Sequence, residues 1–337
     1  MKFSPLFPRV YKLDLSIIIV NWNTGSLLRE CIASLYSTIK AHTFEVIVVD
    51  NASTDKSAHD TSNWPRLHVI YNGQNVGFAA ANNQGFRRST GKYLLILNPD
   101  TIALPGAIDR LVDFLELHPH VGAVGPRLLS STGDLQPSCS HYPSLFNVSM
   151  EALGLSRLFP RKKLFARTTM TYWDHDFERQ VEVVCGACLM LRRDALWEVG
   201  FLDERFYIYY EETDICLRLS QAGLQSYLVP SAEIIHLGGQ SSLKNLDVRI
   251  IARYRSLLVF YDKHYPCWQS LVLRGMLIFE ISWHIAFLFL MGIPSLRTKR
   301  NDEILSRYLQ VIRMCFNPVN NLKMGLKAAK PDGQGRQ

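Results

Sequence analysis

The strongest limit on the fold of this chain is a repeated alternation in its first 125 residues. Short apolar runs rich in β-branched side chains recur between stretches with helical periodicity. Leu15–Val20, Phe44–Val49, Leu67–Tyr71, Tyr93–Leu97 and Val121–Gly125 read as strands, and apolar residues at consecutive positions mean that both faces are buried. Between them, Ser26–Lys40 places Leu27, Leu28, Cys31, Ile32, Leu35 and Ile39 on one helical face, and further helices are expected around Gly77–Ser89 and over Pro105–His118. Strand–helix–strand repeats form right-handed crossovers, giving an α/β fold with a Rossmann-like, mostly parallel sheet. Ligands of such sheets bind beyond the carboxyl ends of the strands, so the polar residues after each strand are the candidate site.

Four polar clusters meet that condition. They are Asn21-Trp22-Asn23, Asp50-Asn51, Asn98-Pro99-Asp100 and Glu211-Glu212-Thr213-Asp214, the last opening a helix expected over Glu211–Ala222. One strand-end Asp can simply cap the next helix or turn. Four clusters at one sheet edge point to a ligand. The G-x-G-x-x-G dinucleotide fingerprint is absent, because the turn after the first strand has only Gly25. Gly85…Gly91-Lys92-Tyr93 imitates a P-loop, but it is one residue too long, lacks the Ser or Thr and precedes a strand. A phosphorylated ligand would then need a hard divalent cation, Mg2+ or Mn2+, at a strand-end carboxylate. Trp22 can pack as a core indole or, between its flanking asparagines, stack on a pyrimidine base, and Asp50 can accept a hydrogen bond from the base N3.

The rest of the chain is less periodic. Residues 130–180 read as a long excursion over the mouth of the site, and Val181–Arg192, Gln225–Val229 and Ala232–Leu237 as strands. Cys185-Gly186-Ala187-Cys188 is a C-x-x-C without a second pair at zinc spacing. Within an apolar strand it reads as buried core cysteines. Seven scattered cysteines make no disulfide framework, and the first residues, MKFSPLFPRVYKLD, have no apolar run. A reducing cytoplasmic setting without a secretory signal is expected.

Charge is unevenly placed. Of a net +7, residues 294–337 hold +6, from nine basic and three acidic residues, so the body is nearly neutral. A nucleic-acid-binding surface is excluded on that ground, because its cations should line a folded face. Leu271–Ile293 is strongly apolar but contains Arg274, Glu280 and His284. Its longest stretch free of Asp, Glu, Lys and Arg, Ile281–Leu296, has 16 residues, short of the roughly 20 that cross a bilayer. A crossing helix, a helix lying on the membrane surface and a buried helix remain open at this point.

Together IIIVNWNTG, VVDNASTD, NVGFAAANNQGFRRSTGKYLLILNPD, CGACLMLRRDALWEVGFLDERFYIYYEETDICLRL and IIHLGG resemble the family-2 glycosyltransferases, in particular bacterial rhamnosyltransferase-like enzymes. The resemblance runs from about residue 14 to 265. It implies the GT-A fold and transfer of a sugar from a nucleotide diphosphate, with inversion at the anomeric carbon and a divalent metal. By resemblance Asp100 ends the metal-binding D-x-D motif, with Asn98 where the first Asp is usual, and His236 is a further metal ligand. Asn21, Trp22, Asn23, Asp50, Asn75, Gly77, Asn83 and Asn98 fall at nucleotide-contacting positions. Glu212 stands where the catalytic Asp is usual, with Glu211 as an alternative base and Asp214 as an orienting residue. An acidic helix N-terminus stabilised by the helix dipole is the simpler account of these three.

The expected layout is an N-terminal extension over residues 1–13, a GT-A domain over 14–265, with a nucleotide-binding half (14–125) and an acceptor and catalytic half (126–265), and a helical appendage over 266–337. Partners implied are a nucleotide sugar, with dTDP-rhamnose the leading donor, and a glycan acceptor, lipid-linked or destined for surface polysaccharide. A cytoplasmic catalytic domain followed by one crossing would put the basic tail outside, against the positive-inside tendency. Attachment to the inner face of the cell membrane is therefore expected. A sugar nucleotidyltransferase and a catalytically silent nucleotide-sugar-binding module are the competing readings.

Overall fold

The computed structural model describes residues 11–61, 64–238, 246–290 and 299–317. Most of the expected N-terminal extension, Gly239 and most of the basic tail lie outside the described residues. The chain divides into two compact units, Met1–Lys244 and Asn245–Gln337.

The first unit opens as the periodicity requires: β1 (Leu13–Asn21), α1 (Leu27–Thr38), β2 (Phe44–Asp50), β3 (Leu67–Tyr71), α2 (Phe78–Arg88) and β4 (Gly91–Leu97). A short β5 (Thr101–Ala103), α3 (Ala107–Leu117) and β6 (Val121–Leu129) follow. The excursion holds β7 (Leu135–Gln136), β8 (Cys139–Ser140), α4 (Leu145–Ala152), the single turn α5 (Leu155–Leu158), β9 (Arg179–Val181) and β10 (Val183–Val184). Then come β11 (Cys188–Arg192), α6 (Arg193–Val199), α7 (Glu211–Gln221) and β12 (Gln225–His236).

The main sheet has the order β3-β2-β1-β4-β11-β6-β12-β5. Strands β1 to β4 are parallel, in a register that sets Asn21 beside Asp50. Alternate residues of β1 serve opposite layers. Ile17 and Ile19 join the core that contains α1 and α3, while Ile18 and Val20 join the one that contains α2 and α7.

The expectation of a mostly parallel sheet needs correction, because β11 runs antiparallel to both β4 and β6, and β12 pairs antiparallel with β5 and β9. The reason lies in the excursion. It returns the chain to the carboxyl end of β4, where Cys188 pairs with Leu97, so β11 must run back down the sheet. The expected strand Val181–Arg192 is likewise broken. Cys185-Gly186-Ala187 forms a turn at the rim, and only Cys188 enters β11. Conversely, the two strands expected over 225–237 are one, β12, with an irregularity between Val229 and Glu233 around Pro230, which has no N–H for the ladder.

The second unit contains α8 (Leu246–His264), α9 (Cys267–Leu290) and α10 (Lys299–Phe316), packed on one another. Helix α8 belongs to this second unit. Among the described residues no helix is long and apolar enough to cross a membrane.

Candidate active site

The carboxyl ends of β1 and β2 form a tightly bonded floor. Asn21 is fully buried and its amide donates to Asp50 Oδ1 at 2.8 Å and to Ser57 Oγ at 2.8 Å. The Thr24 hydroxyl donates to Asn21 Oδ1, and Ser53 N donates to Asp50 Oδ2 at 3.1 Å. Asn23, in the left-handed region at φ 53°, accepts from Thr54 N at 2.7 Å and donates its own N–H to Ser53 Oγ. Asn21 thus orients Asp50, and Asn23 braces the loop that follows it. Half-buried Trp22 stands between them.

A second knot joins this floor to the catalytic half. Buried Asn51 donates to Asn75 Oδ1 at 2.9 Å and accepts from Val76 N at 3.0 Å. Asn75 Oδ1 also accepts from Gly77 N at 3.0 Å and from the Tyr207 hydroxyl at 2.7 Å. Gly77 is required here: its φ is +92°, and a Cβ would lie 2.7 Å from the Tyr207 ring and 2.8 Å from its carbonyl oxygen. Asn83, expected at the nucleotide, is elsewhere engaged. Its amide donates to Leu202 O at 2.8 Å and Glu204 Oε1 at 2.9 Å, and its oxygen accepts from Leu202 N. It clamps the loop after α6.

Asp100 and His236 come together across the β5–β12 ladder, which pairs His236 with Thr101. Asp100 Oδ1 lies 3.4 Å from His236 Nε2. His236 Nδ1 pairs with Gln136 Oε1 at 3.0 Å, and Gln136 Nε2 donates to the His236 carbonyl at 2.8 Å. Gln136 is an acceptor at Nδ1, so the ring proton sits there and Nε2 carries the lone pair. That Nε2 is buried with no hydrogen-bond partner. Two ligands of one ion, each about 2.1 Å from it, stand about 3.0–3.5 Å apart, so the pair fits a divalent cation. No group of three or more His, Cys, Asp or Glu that could hold an ion occurs among the described residues. The Asn98 side chain, half-buried, has no hydrogen-bond partner, while its backbone N–H donates to Ala187 O at 2.9 Å.

That last bond leads to the acidic cluster. A Cβ on Gly186 would lie 3.6 Å from Glu212 Cβ, so the 185–187 turn joins the metal-side loop to the head of α7. Tyr209 and Tyr210 precede the helix with φ of 70° and 69°, left-handed conformations that are strained for tyrosine. Glu211 is buried, Glu212 partly so, and Oε2 of each has no hydrogen-bond partner. Burial, reinforced by the neighbouring Glu212, pushes the Glu211 carboxyl well above its ordinary range. Burial raises Glu212 from 4.5 to about 6, against the stabilising pull of backbone N–H groups at the helix start. Asp214 is fully buried and bonded to Arg218 at 2.7 Å, whose other N–H groups hold the carbonyls of Val199, Gly200 and Phe201. Through Arg218 it braces that loop. Burial raises the Cys185 thiol to about 11, so it stays protonated beside these carboxylates.

Residues 16–200 match the family model described as Glycosyl transferase family 2. The N-acetylglucosaminyl-diphospho-decaprenol L-rhamnosyltransferase of Mycobacterium tuberculosis is 31% identical over 272 residues, 76% of this chain and 87% of that protein. The dTDP-rhamnosyl transferase RfbF of Shigella flexneri is 24% identical over 250 residues, 71% of this chain and 78% of its own. Among solved structures, the mannosyltransferase PcManGT from Pyrobaculum calidifontis in complex with GDP-Man and Mn2+ is similar with a TM-score of 0.51 at 15% identity, over 90% of this chain and 86% of that one. At that identity the likeness is one of fold.

Proposed function

This chain belongs to glycosyl transferase family 2, and from that premise we propose an inverting, metal-dependent transfer of rhamnose from dTDP-rhamnose to a lipid-linked glycan at the inner membrane surface, in surface polysaccharide or lipopolysaccharide synthesis. That it is a glycosyltransferase acting on nucleotide sugars follows from the family. The donor and the diphosphate-lipid acceptor are those for which the two relatives are named. The observation that carries the mechanism is the orphaned set His236 Nε2, Glu211 Oε2 and Glu212 Oε2, gathered around the Asn98–Asp100 loop and the 185–187 turn. Buried polar atoms of this kind are costly unless a ligand completes them.

In this reading Trp22 stacks on the base and Asp50 accepts a hydrogen bond from its N3. Asp100 and His236 hold the divalent cation, which supplies positive charge against the charge that develops on the leaving diphosphate. Glu212 accepts the proton of the acceptor hydroxyl as that oxygen attacks the anomeric carbon opposite the diphosphate, and configuration inverts. A carboxylate raised to about 6 is ionised at neutral pH yet more basic than a free one.

The test is release of nucleoside diphosphate by the purified chain from dTDP-rhamnose, UDP-sugars and GDP-mannose, with Mn2+ or with a chelator. Preferred, chelator-sensitive use of dTDP-rhamnose is expected. Preference for a purine-linked donor would overturn the base-pocket reading, and chelator-insensitive turnover would overturn the role given to Asp100 and His236. Absence of turnover with every sugar, in the presence of acceptor, would favour a silent binding module.

A further inference from the structure

Helix α9 is apolar on every side, yet only one of its faces is used inside its unit. Ser270, Leu273, Leu277 and Ile281 are buried. On the opposite side Trp268, Leu271, Val272, Phe279 and Trp283 are each between 44% and 71% exposed, with Gly275 exposed among them. At 3.6 residues per turn these six positions fall within an arc of about 120° and extend over about 22 Å of helix. The two charges of the segment lie off this stripe and point inward. Arg274 bonds Asp262 at 2.7 Å and the carbonyls of Met314 and Cys315 at the end of α10. Glu280 accepts from the Tyr254 hydroxyl at 3.4 Å. The outer face therefore presents indole, phenyl and aliphatic groups around one small hydroxyl, Ser282, and no charge, and an exposed apolar patch of this kind marks an interaction surface.

We propose that this face of α9 docks in the headgroup–acyl boundary of an anionic phospholipid bilayer, the helix lying in the membrane plane. Charge selects this occupant. Residues 294–337, directly after the helix, carry nine basic and three acidic residues, and Lys263 and His264 directly precede it. An anionic surface attracts such flanks, whereas a second copy of the same basic segment repels them. Tryptophans near both ends of the stripe suit a boundary where rings are half-immersed. The inward pairing of Arg274 and Glu280 is what allows a segment interrupted by charges to present a face without them.

The proposal rests on the membrane-surface part of the reading above, and its test separates the two. The full chain is floated with vesicles of phosphatidylcholine alone and of phosphatidylcholine with phosphatidylglycerol, while donor turnover on a water-soluble acceptor is measured in parallel. Stronger binding to the anionic vesicles is expected, with loss of about tenfold or more in Phe279→Asp/Trp283→Asp. Leu271→Glu, at the other end of the stripe, should behave alike, and unchanged melting temperatures establish that both variants are folded. Equal binding by folded variants, or none by the parent chain, would overturn the docking face even if turnover is intact. A parent chain that is dimeric without lipid and monomeric in the variants would assign the face to a second copy and overturn it too. Vesicle binding that these variants lose would uphold the face even if no sugar is transferred.

Discussion

The two sides of the site are built on opposite principles. On the side proposed for the nucleotide, Asn21, Asn23, Asp50, Asn51 and Asn75 bond one another or neighbouring groups of the protein, and Asn83 behind them is likewise bonded to Leu202 and Glu204. On the catalytic side, His236 Nε2, Glu211 Oε2 and Glu212 Oε2 are left without a hydrogen-bond partner. A saturated network is rigid before any ligand arrives, whereas unpartnered buried atoms make the folded chain less stable than it could be. Substitutions on the first side should therefore cost stability, and on the second activity, with stability kept or gained.

The sharpest break of that contrast would be at Glu212. Glu212→Gln keeps shape and removes the proton acceptor, and kcat should fall about 10³-fold, with the chain at least as stable as the parent at pH 8. Asp100→Ala should abolish Mn2+-dependent turnover with little change in melting temperature. Near-parental kcat in either would remove these residues from the chemistry.

Gln136 sharpens the comparison, because it is a saturated residue on the catalytic side. Its two bonds fix the tautomer and angle of His236. Gln136→Leu should weaken Mn2+ binding, read by calorimetry without substrate, about 10–100-fold. Gln136→Glu, which keeps the acceptor for Nδ1, should recover most of it. Unchanged Mn2+ affinity in Gln136→Leu would mean that His236 is not a ligand.

Asn83 provides the converse. Asn83→Ala removes three bonds to Leu202 and Glu204 and should cost about 1–3 kcal/mol in denaturant unfolding, with the donor KM unchanged. A raised KM with parental stability would return Asn83 to the nucleotide site. Sequence could not separate these outcomes. An Asn in a small-residue helix start shows its polarity, but not which of two loops it faces. What was legible follows from local pattern: β1, β2 and β4 are apolar runs ending in polar residues, and their parallel register brings Asn21 to Asp50. What was not legible depends on where a distant segment returns. The direction of β11, the turn at Gly186 and the reach of Gln136 from a two-residue strand are all consequences of the excursion's path. Periodicity carries no trace of that path.

The smallest effect is a pH dependence of stability, and its sign separates a strained carboxylate from a comfortable one. Burial raises folded Glu212 from 4.5 to about 6. Below about pH 4.5 the group is protonated in both folded and unfolded chains and costs nothing. As pH rises from there to about 6, the unfolded chain releases its proton first, so stability falls, and above that the full cost remains. The cost is about 1–2 kcal/mol, since Glu212 is partly exposed and water screens it. Glu212→Gln has no such group. Its melting temperature should exceed the parent's at pH 8, and the advantage should shrink below pH 6 and vanish near pH 4.5. Over the same interval the parent's kcat/KM should rise with an inflection near 6, because only the ionised carboxylate can accept the acceptor proton. A melting-temperature difference that is constant with pH would show that this carboxylate is not raised. An activity rise without the stability change would move the titrating base to Glu211, whose carboxyl burial also raises.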